Sequence, residues 1–139
     1  MATDERLVEL LGCIGIFSRC SEFDLKMISH RVELRSFAAG DTLMADGDDG
    51  ASMLLLVDGT VDVLKDGALL RSMGAGEVIG ELAALSPAPR SATVVATSAV
   101  EAAELSAGAV KLVMGSTPSV AEEIVAALAD RVRELTPGS

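Results

Sequence analysis

Between Gly80 and Val94 the chain reads Gly-Glu-Leu-Ala-Ala-Leu-Ser-Pro-Ala-Pro-Arg-Ser-Ala-Thr-Val. Residues 81–85 are good helix formers over about one turn, and Ser86-Pro87-Ala88-Pro89 stops them, because proline lacks a donor and restricts its predecessor. A helix start leaves backbone N–H groups unpaired, and these donors together with the helix dipole favour an anion. Gly80 has no Cβ, so a ligand can approach that start closely. Arg90 follows in the turn after the prolines, where a guanidinium can make a two-pronged charged contact with a phosphate. Glu81 beside the same place would repel a phosphate unless it accepts a hydrogen bond from the ligand, and a ribose hydroxyl is a natural donor.

The elements that must hold this segment change character along the chain. Leu7, Leu10, Leu11 and Ile14 recur at helical spacing, with Thr3 as N-cap, and a second helix starts at Ser21 and runs to about His30. Ser21-Glu22-Phe23-Asp24 has the form of a capping box with Asp in place of Glu. From Arg31 to Leu105 short apolar segments alternate with glycine-bearing turns: Val32–Phe37, Thr42–Ala45, Ser52–Val57, Thr60–Lys65, Ala68–Met73, Ala92–Thr97 and Val100–Leu105. Asp58-Gly59 and Asp66-Gly67 read as hairpin turns. Many short strands at this spacing imply a sandwich, jelly roll or barrel, and they leave no room for the helical crossovers of a parallel sheet. Helix returns over Ala107–Gly115 and again after Thr117-Pro118, an N-cap followed by proline at the first helical position. Val120, Ile124, Leu128, Val132 and Leu135 form one apolar stripe on that last helix, which Pro137-Gly138 ends. The stripe suits packing on the strands, a homodimer through the C-terminal helix, or both. We expect one domain over 1–139, with N-terminal helices in 1–30, strands in 31–105 and C-terminal helices in 106–139.

Composition removes several function classes. The formal net charge is −10 with no basic cluster, which argues against nucleic acid binding by this chain. The longest apolar run, Met53–Val57, falls far short of the roughly 20 residues a membrane span needs. The acidic start lacks the pattern of a signal peptide, so we expect a soluble, cytoplasmic protein, and the free thiols Cys13 and Cys20 fit a reducing compartment. The alanine-rich, asparagine-free composition points to a GC-rich bacterial source. A metal-dependent barrel enzyme would need several histidines, and His30 is the only one, so we expect no metal and no catalytic residue. Asp46-Gly47-Asp48-Asp49-Gly50 imitates a calcium loop, but Val57 stands where the closing glutamate belongs, which leaves a solvated turn. Gly74 to Gly80 imitates a dinucleotide loop without its βαβ unit. The chain has no Asn, Gln, Trp or Tyr, and its aromatics are Phe17, Phe23 and Phe37. A ligand site in the later part must therefore use backbone groups, Ser/Thr, charged residues and aliphatics.

Gly80, Glu81, Leu82, Ala83, Pro89, Arg90, Ser91, Ala92, Thr93 and Val94 together resemble the phosphate-binding cassette of cyclic-nucleotide-binding domains, as in protein kinase A regulatory subunits, the catabolite activator protein and prokaryotic cyclic-nucleotide-gated channels. The likeness extends to Ile16-Phe17 and the Ser21 helix, to Phe37–Asp41, to Leu56–Val61 and to the C-terminal helices. It implies a mainly β fold with flanking helices: an eight-stranded jelly-roll β-barrel with N-terminal helices, a short cassette helix in 80–94 and C-terminal lid helices. It implies that Arg90 pairs with the cyclic phosphate and that Glu81 accepts from the ribose 2′-hydroxyl. Gly80 and the amides of Leu82, Ala83, Ser91 and Ala92 would complete the cradle. Arg131 on the last helix, with Arg133 as the alternative, would cover the base. The implied function is a non-catalytic sensor of cyclic AMP, with cyclic GMP the alternative, which signals by movement of its C-terminal helix to an effector domain or protein that the sequence does not name. A degenerate, ligand-free interaction domain and the sensor half of a catabolite-activator-type transcription regulator are the other readings.

Overall fold

Five consecutive apolar residues, Met53–Val57, require a strand buried on both faces. The structure, a computed structural model describing residues 2–86 and 88–135, puts them at the centre of the fold. The order is α1 (Ala2–Leu11), a 3-10 turn (Gly15–Phe17), α2 (Glu22–Ser29), β1 (Glu33–Phe37), β2 (Thr42–Met44), β3 (Asp49–Gly50), β4 (Ser52–Asp58), β5 (Thr60–Lys65), β6 (Ala68–Gly74) and β7 (Val78–Ile79). Then come α3 (Glu81–Leu85), β8 (Ala88–Pro89), β9 (Thr93–Ala96), β10 (Val100–Ser106), α4 (Ala107–Ser116) and α5 (Pro118–Leu135). Eight of the strands form two antiparallel four-stranded sheets, ordered β1-β10-β4-β7 and β2-β9-β5-β6, and β3 pairs with β8 apart from them. This is the expected jelly roll with flanking helices, built as facing open sheets rather than a closed ring.

Alternation along β4 divides the molecule into two cores. Met53, Leu55 and Val57 pack against Leu11, Phe17, Ile28, Val113 and Ile124 in a helical layer. Leu54 and Leu56 pack between the sheets with Val61, Met73, Val94 and Ala102. At roughly 25 cal/mol per Å² of apolar area, each fully buried Leu or Phe contributes about 1.5–3 kcal/mol.

The turns show where local signals hold and where they do not. Asp66 (φ 52°) and Gly67 (φ 80°) are both left-handed and close the β5–β6 hairpin as expected. Asp58-Gly59 is not a hairpin turn. Both edges of β4 are taken, by β10 and by β7, so the chain leaving β4 turns a corner and enters the opposite sheet as β5. The capping box forms: Ser21 Oγ accepts from Asp24 N, and Asp24 Oδ2 accepts from Ser21 N, both at 3.1 Å. Thr3, read as the N-cap of α1, lies within that helix, and its side chain falls outside the described residues. Ile14 lies beyond α1, just before the 3-10 turn. Pro87, the side chain of Leu135 and Pro137-Gly138 fall outside the described residues. Cys13 and Cys20 are free thiols. No single helix among the described residues is long and apolar enough to cross a membrane.

Candidate functional site

Strand β7 delivers the chain to Gly80, whose φ of 82° suits a residue without a Cβ, and Gly80 is the N-cap of α3. A Cβ here would lie 2.7 Å from Arg90 Nη1 and 3.1 Å from the Ser52 carbonyl oxygen. On the other side, a Cβ at Gly50 would lie 2.6 Å from Arg90 Nε and 2.7 Å from Cζ. The guanidinium is therefore threaded between two glycines from distant parts of the chain.

The acidic turn expected to be merely solvated holds the backbone of Arg90. Asp49 and Gly50 form β3 opposite Pro89 and Ala88 of β8. Arg90 N donates to the Asp48 carbonyl at 2.6 Å, and Gly47 N donates to the Arg90 carbonyl at 2.8 Å. The Asp46 carboxylate pairs with Lys65 at 2.8 Å. The described residues include no group of His, Cys, Asp or Glu suited to a metal.

Arg90 is half-buried and, among the described residues, makes no ion pair. Its Nη2 lies 3.5 Å from Ser52 Oγ, and its Nη1 is buried without a hydrogen-bond partner. Burial pushes the guanidinium below its usual range, and the Glu104 carboxylate opposes that shift. Arginine stays protonated regardless, so the fold keeps a cation with unmet donor capacity.

Glu81, the first residue of α3, is only 4% exposed. Its Oε1 lies 2.6 Å from Arg131 Nη1, and its Oε2 is buried with no hydrogen-bond partner. The first-turn amides at Leu82 and Ala83 precede the first helical carbonyl they could reach. Arg131 thus extends from α5 to the cassette carboxylate, whereas Arg133 pairs with Asp130 on the exposed face at 2.8 Å. A second tie joins α5 to β6 through Glu134 and Arg71.

All eight residues singled out from the sequence, Gly80, Glu81, Leu82, Ala83, Arg90, Ser91, Ala92 and Arg131, line one cavity of about 600 Å³. Its remaining wall is largely aliphatic, with Val63, Leu70, Met73 and Ile79. Sequence reasoning missed Arg71 and Glu134, which also line it. Arg71 shares its strand parity with the buried Met73, a signal that was available. Gly50 and Ser52 reach Arg90 only through tertiary packing and left no local sign.

A family model described as "Cyclic nucleotide-binding domain" matches residues 34–116. The chain is 36% identical over 102 residues to a "cAMP-dependent protein kinase regulatory subunit" of Hypocrea atroviridis, covering 73% of this chain and 22% of that one. It is 26% identical over 130 residues to the "CRP-like cAMP-activated global transcriptional regulator" of Mycobacterium tuberculosis, covering 90% of this chain and 58% of that one. Among solved structures, "cAMP bound PfPKA-R (141-441)" superposes with a TM-score of 0.82 at 21% identity, over 96% of this chain and 48% of that one. The regulatory subunit of a "cAMP-independent protein kinase A" from Trypanosoma brucei superposes with a TM-score of 0.81 at 22% identity, over 89% of this chain and 45% of that one. These two structures share the fold with this chain.

Proposed function

The chain belongs to the cyclic nucleotide-binding domain family, and from that premise we propose that it is a non-catalytic sensor of a cyclic nucleotide, with cyclic AMP preferred to cyclic GMP. One observation carries the reading. Among the described residues, a half-buried guanidinium without an ion pair and a buried carboxylate with a spare oxygen lie on the wall of the same cavity. Buried polar groups are normally paired, and leaving one unpaired costs about 1–3 kcal/mol. A ligand carrying an anion next to a hydroxyl donor meets both needs at once, and a cyclic phosphate fused to a ribose is such a ligand.

In this reading Arg90 neutralises the phosphate, aided by the amides of Leu82, Ala83, Ser91 and Ala92 beside Gly80. Glu81 Oε2 accepts from the 2′-hydroxyl. The base lies against aliphatic side chains such as Val63 and Leu70. Arg131 acts first on Glu81, cancelling a negative charge next to the phosphate and tying α5 to the ribose end of the ligand. Covering the base is a second role, which needs Arg131 to leave that pair. The preference for cyclic AMP is supported by the relatives in H. atroviridis and M. tuberculosis, which are described as cAMP-dependent and cAMP-activated. The signal passes through α5 to an effector, and a kinase catalytic subunit and an attached DNA-binding domain are the two kinds those relatives suggest. A cytoplasmic setting belongs to the same reading.

Calorimetric titration with cyclic AMP and cyclic GMP tests this. We expect binding with cyclic AMP the tighter, and a loss of about 30-fold or more in Arg90→Ala, since removing one side of a buried charged contact costs about 2–5 kcal/mol. Unaltered affinity in Arg90→Ala would refute the role of that residue. A second reading, a ligand-independent interaction domain, is favoured by the cAMP-independent neighbour and by the internal Glu81–Arg131 pair. Heat-free titrations with both nucleotides would select it.

A further inference from the structure

Arg90 is not alone at the back of the cavity. Ser52 stands at the start of β4 with its Oγ 3.5 Å from Arg90 Nη2, and that same hydroxyl donates to Glu104 Oε2 on β10 at 2.9 Å. Glu104 Oε1 accepts from Arg35 Nη1 on β1 at 3.1 Å. A serine hydroxyl has one proton and two lone pairs. With the proton committed to Glu104, the oxygen that faces the guanidinium presents a lone pair.

We propose that Glu104 is a positioning residue for Arg90, acting through the Ser52 hydroxyl to orient the guanidinium that receives the phosphate. The proposal rests on the sensor reading given above for its consequence, but the geometry beneath it does not. Arg90 has soft torsions and space made by two glycines, so something must choose its orientation. The Ser52 hydroxyl is the polar side-chain group in contact with it among the described residues. Glu104 is also the carboxylate whose field favours the charged form of this half-buried cation. Its negative charge reaches Arg90 through an intervening hydroxyl. Arg90 therefore keeps its donors for a ligand instead of spending them on a direct ion pair.

Four variants decide it: Ser52→Ala, Glu104→Leu, the double variant, and Arg35→Ala. Cyclic AMP affinity is read by calorimetry, and rotation of the Arg90 guanidinium by nitrogen-15 NMR in the protein without added nucleotide. Ser52→Ala and Glu104→Leu should each weaken binding about 3- to 10-fold, the range of one modest hydrogen bond. Each should also speed guanidinium rotation, and the double variant should be no worse than the weaker single one, because both break one relay. Arg35→Ala removes the surface pair but leaves the relay, so its affinity should stay within about 2-fold of the parent. Additive losses, or an Arg35→Ala as weak as Glu104→Leu, would show that Glu104 merely holds β1 to β10, and would overturn the proposal. Unaltered affinity in Arg90→Ala defeats the phosphate role instead. Guanidinium rotation then decides the positioning role alone: faster rotation in the two single variants upholds it and unchanged rotation refutes it.

Discussion

A Cβ at position 50 would meet the far end of a flexible arginine, whereas one at position 80 would also meet a backbone carbonyl. The two glycines therefore separate binding from stability. Gly50 has an ordinary φ, so Gly50→Ala should change stability by less than about 1 kcal/mol. The new methyl would push the guanidinium out of its slot, and cyclic AMP affinity should fall by about 10-fold or more, by analogy with a buried charged contact partly lost. Gly80→Ala adds left-handed strain at φ 82° and should also lower stability, by about 1–2 kcal/mol. Denaturant unfolding together with calorimetry checks both halves. A Gly50→Ala protein that binds normally would mean that the exact seat of Arg90 is unimportant.

Among the elements, α5 performs two tasks in its two halves. Val120 and Ile124 are 1% and 2% exposed and belong to the helical core, while Val125 and Val132 are 62% and 61% exposed. The stripe Val120, Ile124, Leu128, Val132 and Leu135 read from the sequence thus packs inward at its first two positions, is only partly covered at Leu128 and is exposed at Val132. Arg131 and Glu134 follow, and their pairs reach Glu81 and Arg71 across the cavity. Ile124→Ala should cost about 2–5 kcal/mol of stability, as for other buried large-to-small changes, with cyclic AMP affinity little altered while the protein remains folded. Unfolding in urea measures the first, and titration well below the midpoint the second. A small stability change with a large affinity loss would instead mean that the first half of α5 also serves the ligand. The helix whose amides we assign to the phosphate, α3, has only five residues, and its stability comes from Ala83 and Ala84 packed inside the fold rather than from its length.

At the scale of the whole molecule, the candidate cavity lies where three distant segments meet: the cassette, strand β6 and the second half of α5. Hydrogen exchange with and without cyclic AMP should show added protection over 81–94 and 128–134, and none over 118–124, where Val120 and Ile124 already anchor the helix in the core. Protection spread evenly over α5 would contradict the division of tasks between its two halves. Much of this was legible in the chain itself. The run Gly80–Val94 carried the candidate site because its backbone and side-chain chemistry is local, from the helix start to the arginine after the prolines. Alternating segments between glycines disclosed a sandwich, jelly roll or barrel, and Ser21 with Asp24 disclosed a capping box, because both are matters of short-range period and hydrogen bonding. Other features depend on partners far along the sequence. The Asp58-Gly59 turn became a corner because the edges of β4 were already taken. Gly50, Ser52 and Glu104 converge on Arg90 from three strands, and Arg131 found Glu81 from fifty positions away. Local propensity fixes which groups a segment offers, but only the packing of sheets and helices decides which of those groups meet.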